Sequence, residues 1–185
     1  MRPLPLLLAA VLLATGGCAG PAADSSAPAK PNPVAATDFG GTDMAWVELM
    51  IPMDEQLLPV LDLVRERAAD PALVAVAGDL RGVYDGELPQ LRALSDRAGL
   101  PSDSPHKGHN MPGLVDADTL AALKADSGAS FERRAVTCLR EHLDQLASLA
   151  ASEIANGISP AVKALAQKVQ QSRGAAGARL PHVTA

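Results

Sequence analysis

Aromatic side chains are almost missing: Trp46, Tyr84, Phe39 and Phe131 make up 2% of 185 residues. Sandwiches and barrels draw on aromatic and β-branched residues, so this shortage argues against both. Positive charge is also short. Lys and Arg total 16 against 21 Asp and Glu, a formal net of −5. A nucleic-acid binder needs a basic face, and that class is excluded. No apolar run is long enough to span a bilayer, and no Gly-rich phosphate loop is present. Cysteine is confined to Cys18 and Cys138. What the chain does have is Ala and Leu, both good helix formers. Apolar residues reach 48%, enough for one domain with a sizeable core.

The N-terminus reads as an export signal over residues 1–17. Arg2 is a short positive region, and Leu4 to Ala14 is an apolar stretch of signal-peptide length, broken only by Pro5. It ends in Ala14-Thr15-Gly16-Gly17-Cys18, small residues followed by Cys, similar to a lipobox. Thr15 stands where the pattern prefers an aliphatic residue. The alternative is an ordinary secretory signal with an incidental cysteine. Cleavage before Cys18 removes Arg2 and leaves a still more acidic chain. No basic patch then draws it to anionic lipid, so two or three acyl chains on Cys18 must hold it at the membrane. Residues 18–41 are rich in Pro, Ala, Ser and Gly and read as a lipidated flexible tether.

From Thr42 onward the pattern is helical. Trp46, Val47, Met50, Ile51, Leu57, Leu58, Leu61 and Val64 recur at helical spacing, with Pro52 and Pro59 expected to bend the helix. Asp70-Pro71 predicts an N-cap and a restart. Leu73, Val76, Leu80, Val83, Glu87, Leu91 and Leu94 form the next stripe, interrupted by Pro89 and ended by Gly99. A polar loop follows from Leu100 to Leu114. Asp116 to Asp126 predicts a short helix. Ser130 opens a long one through about Ala155, with Phe131, Ala135, Cys138, His142, Leu146 and Leu149 inward. Asn156-Gly157 closes it, and Ser159-Pro160 opens the last helix, with Val162, Leu165, Ala166 and Val169 on one face. The bundle domain is expected over 42–175 and a frayed tail over 176–185.

Both halves share one order: a long helix, a turn with Pro, a second helix. A slide of 88 positions places Met50 on Cys138, Met53 on Glu141 and Asp54 on His142. An internal duplication and an all-α four-helix bundle follow as expectations. Asp54 and His142 then occupy equivalent inward positions. A buried charge needs a partner, and each is expected to be the other's, with Glu87 able to join them.

The run Glu48-Leu49-Met50-Ile51-Pro52-Met53-Asp54 resembles the Met-Ile-Pro-His-His motif of the domain-of-unknown-function family number 305. Cys138-Leu139-Arg140-Glu141-His142 stands where that family carries its second His-His pair. Asn110-Met111-Pro112-Gly113-Leu114 is similar to its Met-Pro-Gly-Met segment, and Glu87-Leu88 to its Glu-Ile. The resemblance covers Asp43 to about Gln171. It implies a ferritin-like four-helix bundle made of two hairpins, and the short helix read at Asp116 to Asp126 then falls in the central connection. It also implies metal binding, often of copper, through the His pairs and Met residues. Here Met53-Asp54 replaces the first pair and Glu141-His142 the second, so one of four histidines remains. The candidate metal ligands are Met50, Met53, Asp54, Glu141 and His142, with Cys138 nearby. Soft sulfur with one imidazole suits Cu(I), whereas Asp, Glu and His suit Zn(II) or Cu(II).

Against each site stands a structural reading. Asp54, Glu141 and His142 can be a hydrogen-bonded set retained from a lost site, and Met50 and Met53 can be core packing. Cys138 is the one thiol left once Cys18 is lipidated, and on an apolar stripe it is expected to be inert. His106, His109 and Met111 form a second candidate cluster in the loop, where Lys107 disfavours a cation and a solvated loop is the rival. A di-iron centre needs Glu-x-x-His on two helices, and the one helical imidazole is His142, with Leu139 three residues before it. A Cys138–His142 hydrolase lacks an oxyanion loop. The sequence therefore predicts a lipid-anchored protein on the extracytoplasmic face of a bacterial membrane, binding no nucleic acid. It is expected to be a non-enzymatic binding or scaffold protein with no assured cofactor. The alternative is a metal-binding protein that buffers or delivers copper or zinc. No protein partner can be named.

Overall fold

The computed structural model describes residues 38–102 and 111–182. The export signal, Cys18, most of the tether, His106 and His109 lie outside the described residues. Among the described residues the fold is all-α: α1 (Gly41–Arg67), α2 (Pro71–Ala98), α3 (Ala117–Ala125), α4 (Gly128–Asn156) and α5 (Pro160–Arg179). Helices α1 and α2 form one hairpin and α4 and α5 another. The four long helices close a ring in which α1 packs on α2 and α4, and α5 packs on α4 and α2. The short α3 sits in the central connection against α1 and α4.

The helix ends follow local chemistry. Asp70 caps α2 by accepting from the amides of Ala72 (2.7 Å) and Leu73 (3.3 Å), with Pro71 at the first helical position. Gly99 ends α2 at φ +68°, the left-handed conformation that glycine adopts at low cost. Asp116 caps α3 through the Thr119 amide at 2.7 Å. Helix α4 begins at Gly128, two residues before the expected Ser130. At α1 the cap is reversed: Gly40 has no side chain to offer, and Asp43 reaches back to its amide at 2.6 Å. Helix α1 runs unbroken through Pro52 and Pro59, as α2 does through Pro89.

Apolar side chains from all four long helices fill the centre. Val47, Met50, Met53, Leu57 and Leu61 of α1, Leu73, Leu80 and Leu91 of α2, Phe131, Leu139 and Leu146 of α4, and Val162 and Val169 of α5 are fully or almost fully buried. The expected frayed tail is corrected for its first residues. Helix α5 continues to Arg179, and Ala176 and Leu180 are buried. The stripe of Val162, Ala166 and Val169 simply runs on, so these residues gain the burial that would otherwise be lost to fraying.

Two polar links join the hairpins near the α1–α2 turn. Arg67 donates to the carbonyls of Leu123, Lys124 and Asp126 and lies over the Phe131 ring at 4.7 Å. It thereby satisfies orphan carbonyls at the end of α3. Glu132 accepts from the amides of Ala69 (2.7 Å) and Asp70 (3.0 Å). No described helix is long and apolar enough to cross a membrane.

Candidate functional site

Asp54 of α1 and Glu87 of α2 both lie on apolar stripes, and folding carries both inside: Asp54 is fully buried and Glu87 is 5% exposed. The cation that makes this tolerable is Arg173 of α5, itself 1% exposed. Its Nη1 donates to Glu87 Oε2 at 3.0 Å and its Nη2 to Glu87 Oε1 at 2.7 Å, a bidentate fork. Nη2 also donates to Asp54 Oδ1 at 3.3 Å. The guanidinium stacks over the Tyr84 ring at 4.2 Å. Two carboxylates and one guanidinium leave an excess negative charge. Burial first, and the neighbouring Glu87 second, push the Asp54 carboxyl well up, against the pull of Arg173. A proton on Asp54 makes the trio neutral. Asp54 Oδ2 and Arg173 Nε have no hydrogen-bond partner among the described residues.

His142 of α4 is fully buried and belongs to a second chain of contacts. Its Nδ1 donates to the Gly113 carbonyl at 2.8 Å. A carbonyl only accepts, so the proton sits on Nδ1, and Nε2 accepts from the Tyr84 hydroxyl at 2.8 Å. Burial pushes the imidazole down to about 3, opposed by the Gly113 carbonyl, so the ring is neutral. Burial likewise pushes the Tyr84 phenol well up. Gly113, at φ +75°, fits because a Cβ there would come within 2.6 Å of Gln145 Cβ. Tyr84 therefore touches both chains, with its ring under Arg173 and its hydroxyl on His142.

These contacts correct the expected pairing. Asp54 and His142 are both inward, but neither is the other's partner. Arg173 takes the aspartate, and Tyr84 with Gly113 takes the imidazole. Glu87 does join Asp54, through the guanidinium. The reason is that a carboxylate gains more from a guanidinium, which stays charged, than from an imidazole that burial neutralises. Two members of the site were missed. Arg173 lies four residues after Val169 and seven after Ala166, on their stripe. Tyr84 lies four after Leu80 and three before Glu87. Both were legible from spacing, and two buried acids also called for a buried cation.

The other candidates are scattered in role. Met50 and Met53 are fully buried in the core of α1, and Cys138 is buried on α4. Burial pushes the Cys138 thiol up to about 11, which matches an inert packing residue. Glu141, next to His142, is exposed on α4, and Met111 is half-buried before Gly113. Among the described residues no group of three His, Cys, Asp or Glu side chains could hold a metal ion. The interior polar positions do not fit one: a guanidinium occupies the space between the carboxylates, and both His142 nitrogens are engaged. A groove of about 500 Å³ lies between α1 and α2, beside the Arg92–Glu55 ion pair. None of Met50, Met53, Asp54, Glu141 or His142 lines it.

Solved structures share the fold, three of them as follows. A DUF305 fragment from Deinococcus radiodurans is 17% identical with a TM-score of 0.67, covering 77% of this chain and 94% of that one. A DUF305 protein from Streptomyces coelicolor is 20% identical with a TM-score of 0.65, covering 75% and 89%. CopM in its Cu(I)-bound form is 18% identical with a TM-score of 0.64, covering 76% and 94%. No curated protein matches. At these identities the likeness is one of fold. The model of the family described as domain of unknown function DUF305 matches residues 43–183. The chain, with its two hairpins and its Met-Ile-Pro and Met-Pro-Gly segments, belongs to the DUF305 family.

Proposed function

We propose that the protein is an extracytoplasmic helical bundle, lipid-anchored through Cys18, that works as a non-enzymatic binding or scaffold protein. In this reading the interior site has given up metal for an intrinsic cation. The observation that carries it is the Arg173 guanidinium, buried between Asp54 and Glu87. A divalent or monovalent metal ion entering there would have to displace a charge of the same sign that is covalently held. His142 is a positioning residue in this account. It ties Gly113, and with it the stretch of the central connection before α3, to the core.

Calorimetric titration of the chain with Cu(I), Cu(II) and Zn(II) tests the reading. The expected result is no stoichiometric uptake that depends on the interior. Stoichiometric binding abolished by Met53→Leu or His142→Leu, in variants whose helical signal is intact, would overturn it.

A second reading is favoured by the likeness to CopM, whose structures hold Cu(I), Cu(II) and Ag. Here the protein buffers or delivers copper or zinc, with ligands drawn from Met50, Met53, Asp54, Glu141 and His142, or from His106, His109 and Met111. Uptake that survives His142→Leu but is lost on changing His106 and His109 to Ala would assign the metal to the connection.

A further inference from the structure

A second pair of carboxyl groups lies away from the ionic cluster, where the start of α1 meets the α4–α5 turn. Asp43, in the first turn of α1, is fully buried. Its Oδ1 accepts from the Ser159 amide at 2.9 Å, and its Oδ2 from the amides of Gly40 (2.6 Å) and Ile158 (3.3 Å). One side chain thus caps its own helix and holds the turn between α4 and α5. Glu153, in the last turn of α4, is also fully buried, and no donor group among the described residues reaches either of its oxygens. It lies against Asp43: a Cβ added at Gly157 would run into the Glu153 carboxyl and come within 2.8 Å of Asp43 Oδ1. Glycine at 157 is what lets the two groups meet.

Two facing carboxylates repel, and the C-terminal end of a helix disfavours a negative charge further. With no donor among the described residues, a proton carried by Glu153 itself is what joins it to Asp43. We propose that Asp43 and Glu153 form a proton-dependent clamp that fastens the first turn of α1 to the α4–α5 turn. The clamp is closed when Glu153 donates its proton to Asp43 and loosens when that proton is lost. The two carboxyls separate in ionisation as the clamp requires. Burial, then Asp43, pushes Glu153 up to about 8. Burial alone would raise Asp43, but the amides of Ser159, Gly40 and Ile158 hold it below the usual range. The charged groups facing Glu153 are Asp43 of α1 and Lys163 of α5, and Lys163 opposes the shift without reversing it.

The sign follows from proton linkage. With Glu153 freed by opening and titrating near 4.5, the closed form binds one more proton between about 4.5 and 8. Opening therefore grows with pH across that window, by up to about tenfold per unit, and levels off above it. The amides of Ile158 and Ser159 report it, because Asp43 protects both. In the full chain their hydrogen-exchange protection, corrected for intrinsic rates, should fall across this window. In Glu153→Gln the fall should vanish, since an amide donates to Asp43 at every pH. A carbon-13 titration of the Glu153 carboxyl in the unaltered chain should give a midpoint near 8. A level protection profile, an equal fall in Glu153→Gln, or an ordinary carboxylate midpoint would each overturn the proposal. The titration and the native profile decide the matter even where the variant folds poorly.

Discussion

Around Tyr84 the two hairpins divide the buried polar groups by kind. The first supplies acid, Asp54 from α1 and Glu87 from α2, and the second supplies base, Arg173 from α5 and His142 from α4. Neither hairpin could bury its own set. Alone, α1–α2 would hold two carboxylates with no cation, and α4–α5 would hold a guanidinium with no anion. Each becomes tolerable only when the halves close, so the polar groups specify which faces meet, where apolar stripes alone are interchangeable. Tyr84 is the exception on the acidic side. It is a neutral residue that serves both basic partners, stacking on one and donating to the other.

The sharpest way to break this complementarity is to remove its cation. Arg173→Met leaves Glu87 and Asp54 buried without a counter-charge, and should cost about 3–5 kcal/mol in chemical denaturation. Replacing all three side chains by apolar residues of similar size should recover most of that loss, because a buried ion pair is often no better than good packing. A triple variant no more stable than Arg173→Met would show that the cluster contributes more than mutual neutralisation.

His142→Leu probes the other basic member. It strands the Tyr84 hydroxyl and the Gly113 carbonyl, and should cost about 2–3 kcal/mol near neutral pH. Its signature lies in the pH profile. The folded imidazole is pushed down from 6.5 to about 3, so the folded state rejects a proton that the unfolded state accepts. The unaltered chain loses stability from this group as pH falls from about 6.5 towards 3, by of the order of 4–5 kcal/mol. Glu153 acts in the opposite sense, its contribution declining as pH rises from about 4.5 to 8. Denaturant midpoints for His142→Leu should lack the acid loss and keep the alkaline one. An unchanged acid limb would mean that His142 is not held neutral by the core.

The same complementarity explains what was legible in the sequence. Helix starts at Asp70-Pro71 and Asp116 and the stop at Gly99 were readable, because caps are local and their chemistry sits within three or four residues. The burial of Asp54, Glu87 and His142 was readable too, since each falls on an apolar stripe. Which residues they pair with was not, because pairing depends on how the hairpins are set against each other. Aligning the two halves matched Asp54 to His142, but equivalence by repeat is not contact. The real partners come from across the ring, α5 for Asp54 and α2 for His142. Arg173 was hidden by ending its stripe at the aliphatic Val169, and Tyr84 by placing Val83, which is exposed, on the stripe in its stead. The role of Gly157 appears only once Glu153 and Asp43 are seen to fill the space a side chain would need.

The smallest expected effect sharpens the comparison most, because nearly everything but burial is held fixed. Arg179 lies six residues after Arg173 on α5, and it too reaches across to α2, donating to Asp79 at 2.8 Å. The helices, the cationic residue and the kind of acceptor are those of the Arg173–Glu87 pair. Arg179 and Asp79, however, are 51% and 64% exposed. Water screens both charges, and ordering two long side chains offsets much of the attraction. Arg179→Ala should therefore shift stability by less than about 0.5 kcal/mol, and the shift should vanish in about 1 M salt, where screening acts within about 3 Å. The effect of Arg173→Met should persist in that salt, since ions do not reach the cluster. Equal losses from the two arginines would mean that contact between α2 and α5, rather than neutralisation of buried acid, is what the basic hairpin supplies.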